Sequence, residues 1–129
     1  MNDSPVATCL LWKAYGLFNT IHWFKTLKGY EGLGIGRALL SVIMKDLARE
    51  EYPVYLHTQP GSYRAIKLHS DFGFQIISDE RVGHRKNDIE ACLSILKKFM
   101  PAEHFKGLRI VRAPATFLNE LNKFDTAEF

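Results

Sequence analysis

The chain has 129 residues, 47% hydrophobic and 24% charged, a balance that excludes a disordered chain and suits one folded domain around one core. Its formal net charge of +3 and pI near 8.9 favour an anionic ligand but are too small and too dispersed for a nucleic-acid partner. No apolar run reaches membrane-spanning length, the opening Met1-Asn2-Asp3-Ser4-Pro5 lacks a secretion-signal layout, and the two cysteines, Cys9 and Cys92, sit far apart in apolar surroundings. These features point to a cytoplasmic protein with reduced thiols and no membrane partner. Without repeats or a linker, residues 1–129 read as a single domain.

In chain order, 5–15 is rich in strand formers, Gly16-Leu17-Phe18-Asn19 reads as a hairpin loop, and 20–26 as the returning strand. On that strand His22, Phe24 and Thr26 share one face, and Ile21, Trp23 and Lys25 the other. Next comes Glu31-Gly32-Leu33-Gly34-Ile35-Gly36-Arg37, three glycines alternating with apolar residues. A helix follows over 38–50, with Leu39, Leu40, Ile43, Met44 and Leu47 as its buried stripe and Lys45, Asp46, Arg49 and Glu50 outside. Strand, glycine bend and helix start aim free backbone N–H groups and the positive end of a helix dipole at one point, which attracts phosphate. A P-loop requires Gly-Lys-Ser/Thr, whereas Arg37-Ala38 follows Gly36; the dinucleotide fingerprint puts its third glycine at Arg37 or Leu39. Both patterns fail, and the stretch alone stands equally for an ordinary turn or a phosphate site.

Glu51-Tyr52-Pro53 breaks the helix. A short strand over 54–58 and a turn at Gln59-Pro60-Gly61 lead to Ser62, a good N-cap for a helix that ends at Gly73 in a left-handed cap. Residues 74–77 return as a strand. Asn87 and Glu90 fit a capping box ahead of a helix over 89–100, with Ile89, Cys92, Leu93, Leu96 and Phe99 on its apolar face and Pro101 as its stop. A strand at 108–112, a last short helix at 116–124 packing Phe117, Leu118 and Leu121, and a frayed end complete the chain.

Two of these stretches together resemble the GNAT (Gcn5-related) N-acetyltransferase superfamily. Its phosphate loop reads Gln/Arg-x-x-Gly-x-Gly/Ala, and 31–36 fits at all but the first position. Its later motif, Asn-x-x-Ala-x-x-Leu-Tyr-x-x-x-Gly-Phe, becomes Ser62, Ala65, Leu68, His69, Gly73 and Phe74. The resemblance covers roughly residues 5–77. It implies an α/β (α+β) fold with a mixed, mostly antiparallel sheet and flanking helices, N-terminally shortened. It also implies acetyl-CoA as co-substrate and direct transfer of the acetyl group to a primary amine of a small molecule or peptide. By the same resemblance, the backbone of Phe24 and Thr26 pairs with the pantetheine arm. Amides of Gly32, Leu33, Gly34, Ile35, Gly36, Arg37 and Ala38 hold the diphosphate, Ser62 stands at the cofactor, and strands parting at Thr26 and Val54 bring His57, Thr58 and Gln59 near the thioester.

Three histidines are catalytic candidates. His69 stands where the family carries the tyrosine that protonates the leaving thiolate, and an imidazolium can donate that proton. His22 shares a face with Phe24 and is either a general base or a hydrogen-bonded sheet histidine; His57 is either near the thioester or a satisfied interior side chain. The Arg37 side chain either adds positive charge at the diphosphate or is solvated. Glu31 places a carboxylate near the diphosphate, which is unfavourable unless Lys28 or Arg37 pairs with it. The open hairpin edge of a shortened member favours a homodimer. With His84 and His104 isolated, no metal is expected. A non-catalytic acyl-CoA-binding or interaction module is the alternative reading.

Overall fold

In the computed structural model, which describes residues 3–129, the chain divides into two compact units, Met1–His57 and Thr58–Phe129. The first is built on an antiparallel hairpin, β1 (Ala7–Ala14) and β2 (Phe18–Thr26), followed by helix α1 (Ile35–Asp46), a 3-10 turn (Arg49–Glu51) and strand β3 (Val54–Leu56). The sheet order is β1-β2-β3, with β3 parallel to β2. As the central strand, β2 buries three consecutive residues, Asn19, Thr20 and Ile21. Their polar groups are satisfied: Asn19 Nδ2 donates to the Glu51 carbonyl (2.9 Å) and the Thr20 hydroxyl to the Trp12 carbonyl (2.8 Å).

Helix α1 packs against β1 and β2 through the stripe expected of it. Leu40 is fully buried and Leu39, Ile43, Met44 and Leu47 are half-buried, while Lys45, Asp46, Arg49 and Glu50 are exposed. Burial of Leu40 contributes about 2 kcal/mol. The helix begins three residues earlier than the apolar pattern suggests, at Ile35, and stops at Asp46 because Leu47 is already extended. The hairpin loop is Tyr15-Gly16-Leu17 rather than 16–19. Tyr15 and Gly16 both have positive φ, and the Leu17 N–H closes the turn on the Ala14 carbonyl (2.9 Å).

The second unit opens with a 3-10 turn (Pro60–Ser62) leading into α2 (Tyr63–Asp71). It continues through β4 (Ile76–Ile77), β5 (Arg81–Val82), β6 (Arg85–Lys86), α3 (Ile89–Phe99), α4 (Ala102–Lys106), β7 (Ile110–Val111) and α5 (Ala115–Leu121). β4 pairs in parallel with β7, and β5 with β6 as a tight hairpin. Ile66, Leu96 and Met100 form a core joined by Tyr63, Leu93, Phe105 and Leu108.

Several local expectations change here. Ser62 occupies the N-cap position of α2 but makes no side-chain cap bond. The capping box at Asn87 and Glu90 does not form. Asp88 is the N-cap, again without a side-chain bond, and the Asn87 amide instead donates to the carbonyls of Ile77 (2.7 Å) and Asp79 (2.8 Å). Phe99 is not on the buried face of α3; it is 57% exposed with the Lys98 ammonium over its ring, and Met100 is buried in its place. Helix α3 does stop ahead of Pro101, with Met100 already extended, and Pro101 is in turn the N-cap of α4. The C-terminus is not frayed at its last residue, since Phe129 is buried edge-on against Phe117 with centroids 5.4 Å apart.

The cap at the end of α2 forms as expected. Gly73 has φ +90, its N–H donates to Ser70 (3.0 Å), and the Phe74 N–H reaches back to His69 (3.1 Å), the paired bonds of a Schellman motif. Gly73→Ala forces a Cβ into the left-handed region and is expected to destabilise the protein by about 1–2 kcal/mol, measured by urea denaturation.

Candidate functional site

The glycine bend follows from its residues. After β2, the Leu27 N–H bonds to the Val6 carbonyl (2.8 Å) and the Tyr30 N–H to the Leu27 carbonyl (3.0 Å), so the chain turns at once. Gly32 and Gly34 then take φ of +75 and +81, values a side chain resists, and Gly34 is the N-cap of α1. No side chain caps this helix end. The first helical bond is Ala38 N–H to the Gly34 carbonyl (3.0 Å), so the N–H groups of Ile35 and Gly36 precede the helix's own ladder. The Ala38 amide is thus the first donor engaged in the helix's own ladder. Residues 29–34 are exposed, and the Leu33 side chain is 67% exposed. Glu31 is exposed too, so solvent screens its charge at the bend.

Pairing between β2 and β3 covers Asn19↔Val54, Thr20↔Tyr55 and Ile21↔Leu56, then stops, while β2 runs on to Thr26. Pairing ends where β3 itself ends, at Leu56, and Val54 lies beside Asn19 rather than Thr26, so Thr26 and Val54 are not neighbours as expected. In the continued stretch the pairing with β1 shifts between Thr8↔Lys25 and Leu10↔His22, so that Cys9 stands opposite both Trp23 and Phe24. This is a β-bulge, which re-aims the backbone of β2. Trp23 has φ +51, and the Thr8 hydroxyl holds its carbonyl at 2.8 Å. Nothing in the residue types signals this bulge, since an aromatic residue rarely adopts positive φ.

The bulge also separates the faces of β2. Trp23 and Lys25 are exposed together, with the ammonium 5.1 Å from the indole centroid, while Ile21 is buried. His22, Phe24 and Thr26 are half-buried. His22 is the first residue beyond the last β2–β3 pair, and its Nε2 is buried with no hydrogen-bond partner. His57 follows directly on β3 and is exposed, not an interior histidine. The Arg37 side chain is on the exposed side of α1, and its carbonyl accepts from the Ser41 hydroxyl at 2.8 Å. The Cys9 thiol is pushed up from its ordinary pKa by burial.

Ser62 and His69 lie in the second unit, at opposite ends of α2. His69 is 7% exposed, with its ring edge-on to Phe74 at 5.5 Å, and desolvation lowers its pKa to about 4. The imidazolium expected there is therefore not the resident form near neutrality, because burial favours the uncharged ring. Among the described residues, no three His, Cys, Asp or Glu side chains form a metal-binding group, and no helix is long and apolar enough to cross a membrane.

A glycine bend at an uncapped helix start and a bulged strand that outruns its neighbour are the two features of the candidate site. The profile of the acetyltransferase (GNAT) family matches residues 1–74, more than half of the chain. The chain belongs to the GNAT acetyltransferase family, whose members carry out acetyl-CoA-dependent acetyl transfer. No curated protein matches it significantly, and no solved structure does.

The state of His69 sets a pH dependence. Its folded pKa lies below the unfolded value near 6.5, so the unfolded chain binds the proton first. Its contribution to stability is intact above about pH 6.5 and is lost as pH falls towards 4, by at most roughly 3 kcal/mol. Denaturation midpoints at pH 7 and 4.5 should differ more in the native chain than in His69→Gln.

Proposed function

We propose that the protein transfers the acetyl group of acetyl-CoA directly to a primary amine of a small molecule or peptide. One observation carries this reading: the left-handed glycine bend ends in a helix start that no side chain caps, beside a strand whose pairing with β3 has stopped. In this reading the amides of Gly32, Leu33, Gly34, Ile35 and Gly36 hold the diphosphate, helped by the helix dipole, and Arg37 adds charge there. The pantetheine arm lies along β2 at Phe24 and Thr26. An N–H of the bulged segment polarises the thioester carbonyl and stabilises the oxyanion.

The neutral amine nitrogen attacks the thioester carbon, forming a C–N bond as the C–S bond breaks. The sulfur leaves as thiolate, and the amine proton must be removed. His22 is the base we assign, because its buried Nε2 has no hydrogen-bond partner and it is the first residue of β2 beyond the last pair with β3. His57, at the exposed end of β3, remains a candidate to relay that proton to solvent. Burial lowers the His69 pKa to about 4, so this residue is not the imidazolium acid expected of its position.

The neutral state of His69 also favours a second reading, a module that binds acyl-CoA without rapid turnover. The two differ in thiol release with an amine panel, which only the enzyme sustains.

Acetyl-CoA at one hundred times its Kd should stabilise the protein by about 2.7 kcal/mol, read as a rise in Tm. Gly34→Val should abolish that rise. No stabilisation by acetyl-CoA or by CoA would defeat both readings.

His22→Gln is expected to lower kcat/KM by about 10²–10⁴ while the acetyl-CoA thermal shift stays intact. An unchanged rate would remove His22 from the mechanism.

A further inference from the structure

The register of the hairpin decides which side chains surround His22. Opposed residues of an antiparallel pair point to one face, and alternate residues of a strand share it. Trp12↔Thr20, Leu10↔His22 and Thr8↔Lys25 therefore lie on a single face. Lys25 stands three positions from His22, an odd number that regular alternation would send to the opposite face. The bulge absorbs the extra residue and returns the ammonium to the His22 side. The Trp23 indole goes with it, because Lys25 Nζ lies 5.1 Å from its ring centroid. The Thr8 hydroxyl, bonded to the Trp23 carbonyl, holds the bulged backbone from the same face.

This face is apolar and cationic. Leu10 and Trp12 are each 47% exposed and Trp23 67%, large apolar groups left in water around the buried Nε2 of His22. Between Asp3 and Glu31 the chain carries Lys13, Lys25 and Lys28 and no carboxylate. The other acids of the first unit, Glu31, Asp46, Glu50 and Glu51, belong to the bend, α1 and the turn after it. Among the described residues Lys25 has no ion-pair partner, and the indole holds its ammonium instead.

We propose that this face is the acceptor subsite, and that the acceptor is the α-amino group of a free amino acid with an apolar or aromatic side chain. Lys25 binds the carboxylate, Trp23 packs the side chain together with Leu10 and Trp12, and the amine reaches His22. Three residues of strand span about 10 Å. A base–amine contact, the link from amine to carboxylate and an ion pair, each about 3 Å, fill that distance. The ammonium acts twice. It attracts the carboxylate, and as a like charge it lowers the pKa of the acceptor amine, favouring the neutral form that attacks. A polyamine or a lysine-rich peptide meets repulsion here, with no carboxylate on the hairpin to offset it. The inference rests on the acetyl-transfer reading with His22 as base.

Calorimetric titration with CoA present reads the subsite whether or not the chemistry runs. L-Phenylalanine is expected to bind about tenfold more tightly than its amide, which lacks the carboxylate, and than glycine, which lacks the side chain. Lys25→Met should erase the first preference and leave the second, while Lys25→Arg keeps both. Trp23→Asn, which tolerates the left-handed backbone, should erase the second and leave the first. Both positions are exposed, so neither variant threatens the fold. Equal binding of phenylalanine and its amide, no binding of either, tighter binding of spermidine, or a carboxylate preference that survives Lys25→Met would overturn the proposal. Thiol release from acetyl-CoA is measured separately. Carboxylate-selective binding without release would defeat the acetyl-transfer reading and leave the subsite standing; release with spermidine but not with phenylalanine would do the reverse.

Discussion

The first unit depends on the need to satisfy a buried central strand. Asn19, Thr20 and Ile21 have strands on both sides, and two of the three carry polar side chains. Asn19 reaches the carbonyl at the end of the 3-10 turn, and Thr20 reaches across to β1. Each bond is worth about 1 kcal/mol net, but leaving a buried group unpaired costs more. The hairpin, the turn after α1 and the start of β3 are thereby fixed to one segment. Beyond Ile21, where that demand ends, β2 runs on without a β3 partner because β3 stops at Leu56.

That overhang and the glycine bend are two uses of the same economy in backbone donors. A sheet normally consumes its N–H groups in the ladder and a helix consumes all but its first few. Here β2 outlives its pairing with β3 and bulges against β1, while α1 starts from a glycine with no side-chain cap. A helix start with no side-chain cap is what an anionic cofactor such as acetyl-CoA would engage. The left-handed φ at Trp23 is a local cost of that arrangement, of order 1–3 kcal/mol for such a conformation.

The parts of the fold legible in the sequence are those in which one residue type has one physical use. Alternating glycines marked the bend, the 3.6 period of Leu39, Leu40, Ile43, Met44 and Leu47 marked α1, and Gly73 marked the end of α2. Features that arise from relations between strands were not legible. The Trp23–Phe24 bulge has no glycine to announce it, and the point where β3 leaves β2 is a matter of register. The β5–β6 hairpin turns at Gly83-His84 between cationic residues and lacks the apolar alternation that reveals strands. Its anchors are distant in sequence: Val82 is buried, and the His84 ring meets the Phe124 carbonyl at 2.6 Å. Burial is not legible either: enclosure of His69 lowers its pKa to about 4, against the acid its place in the motif suggests, and His57 is exposed.

The placement of the indoles has a practical corollary. Trp12 and Trp23, the chain's two tryptophans, both lie in the first unit, on adjacent strands and largely in water. Selectively excited indole emission therefore follows the hairpin and is blind to the second unit, whose aromatic residues are phenylalanine and tyrosine. If the two units melt separately, emission and far-ultraviolet dichroism will trace different curves, and their divergence will report whether folding is shared across the chain.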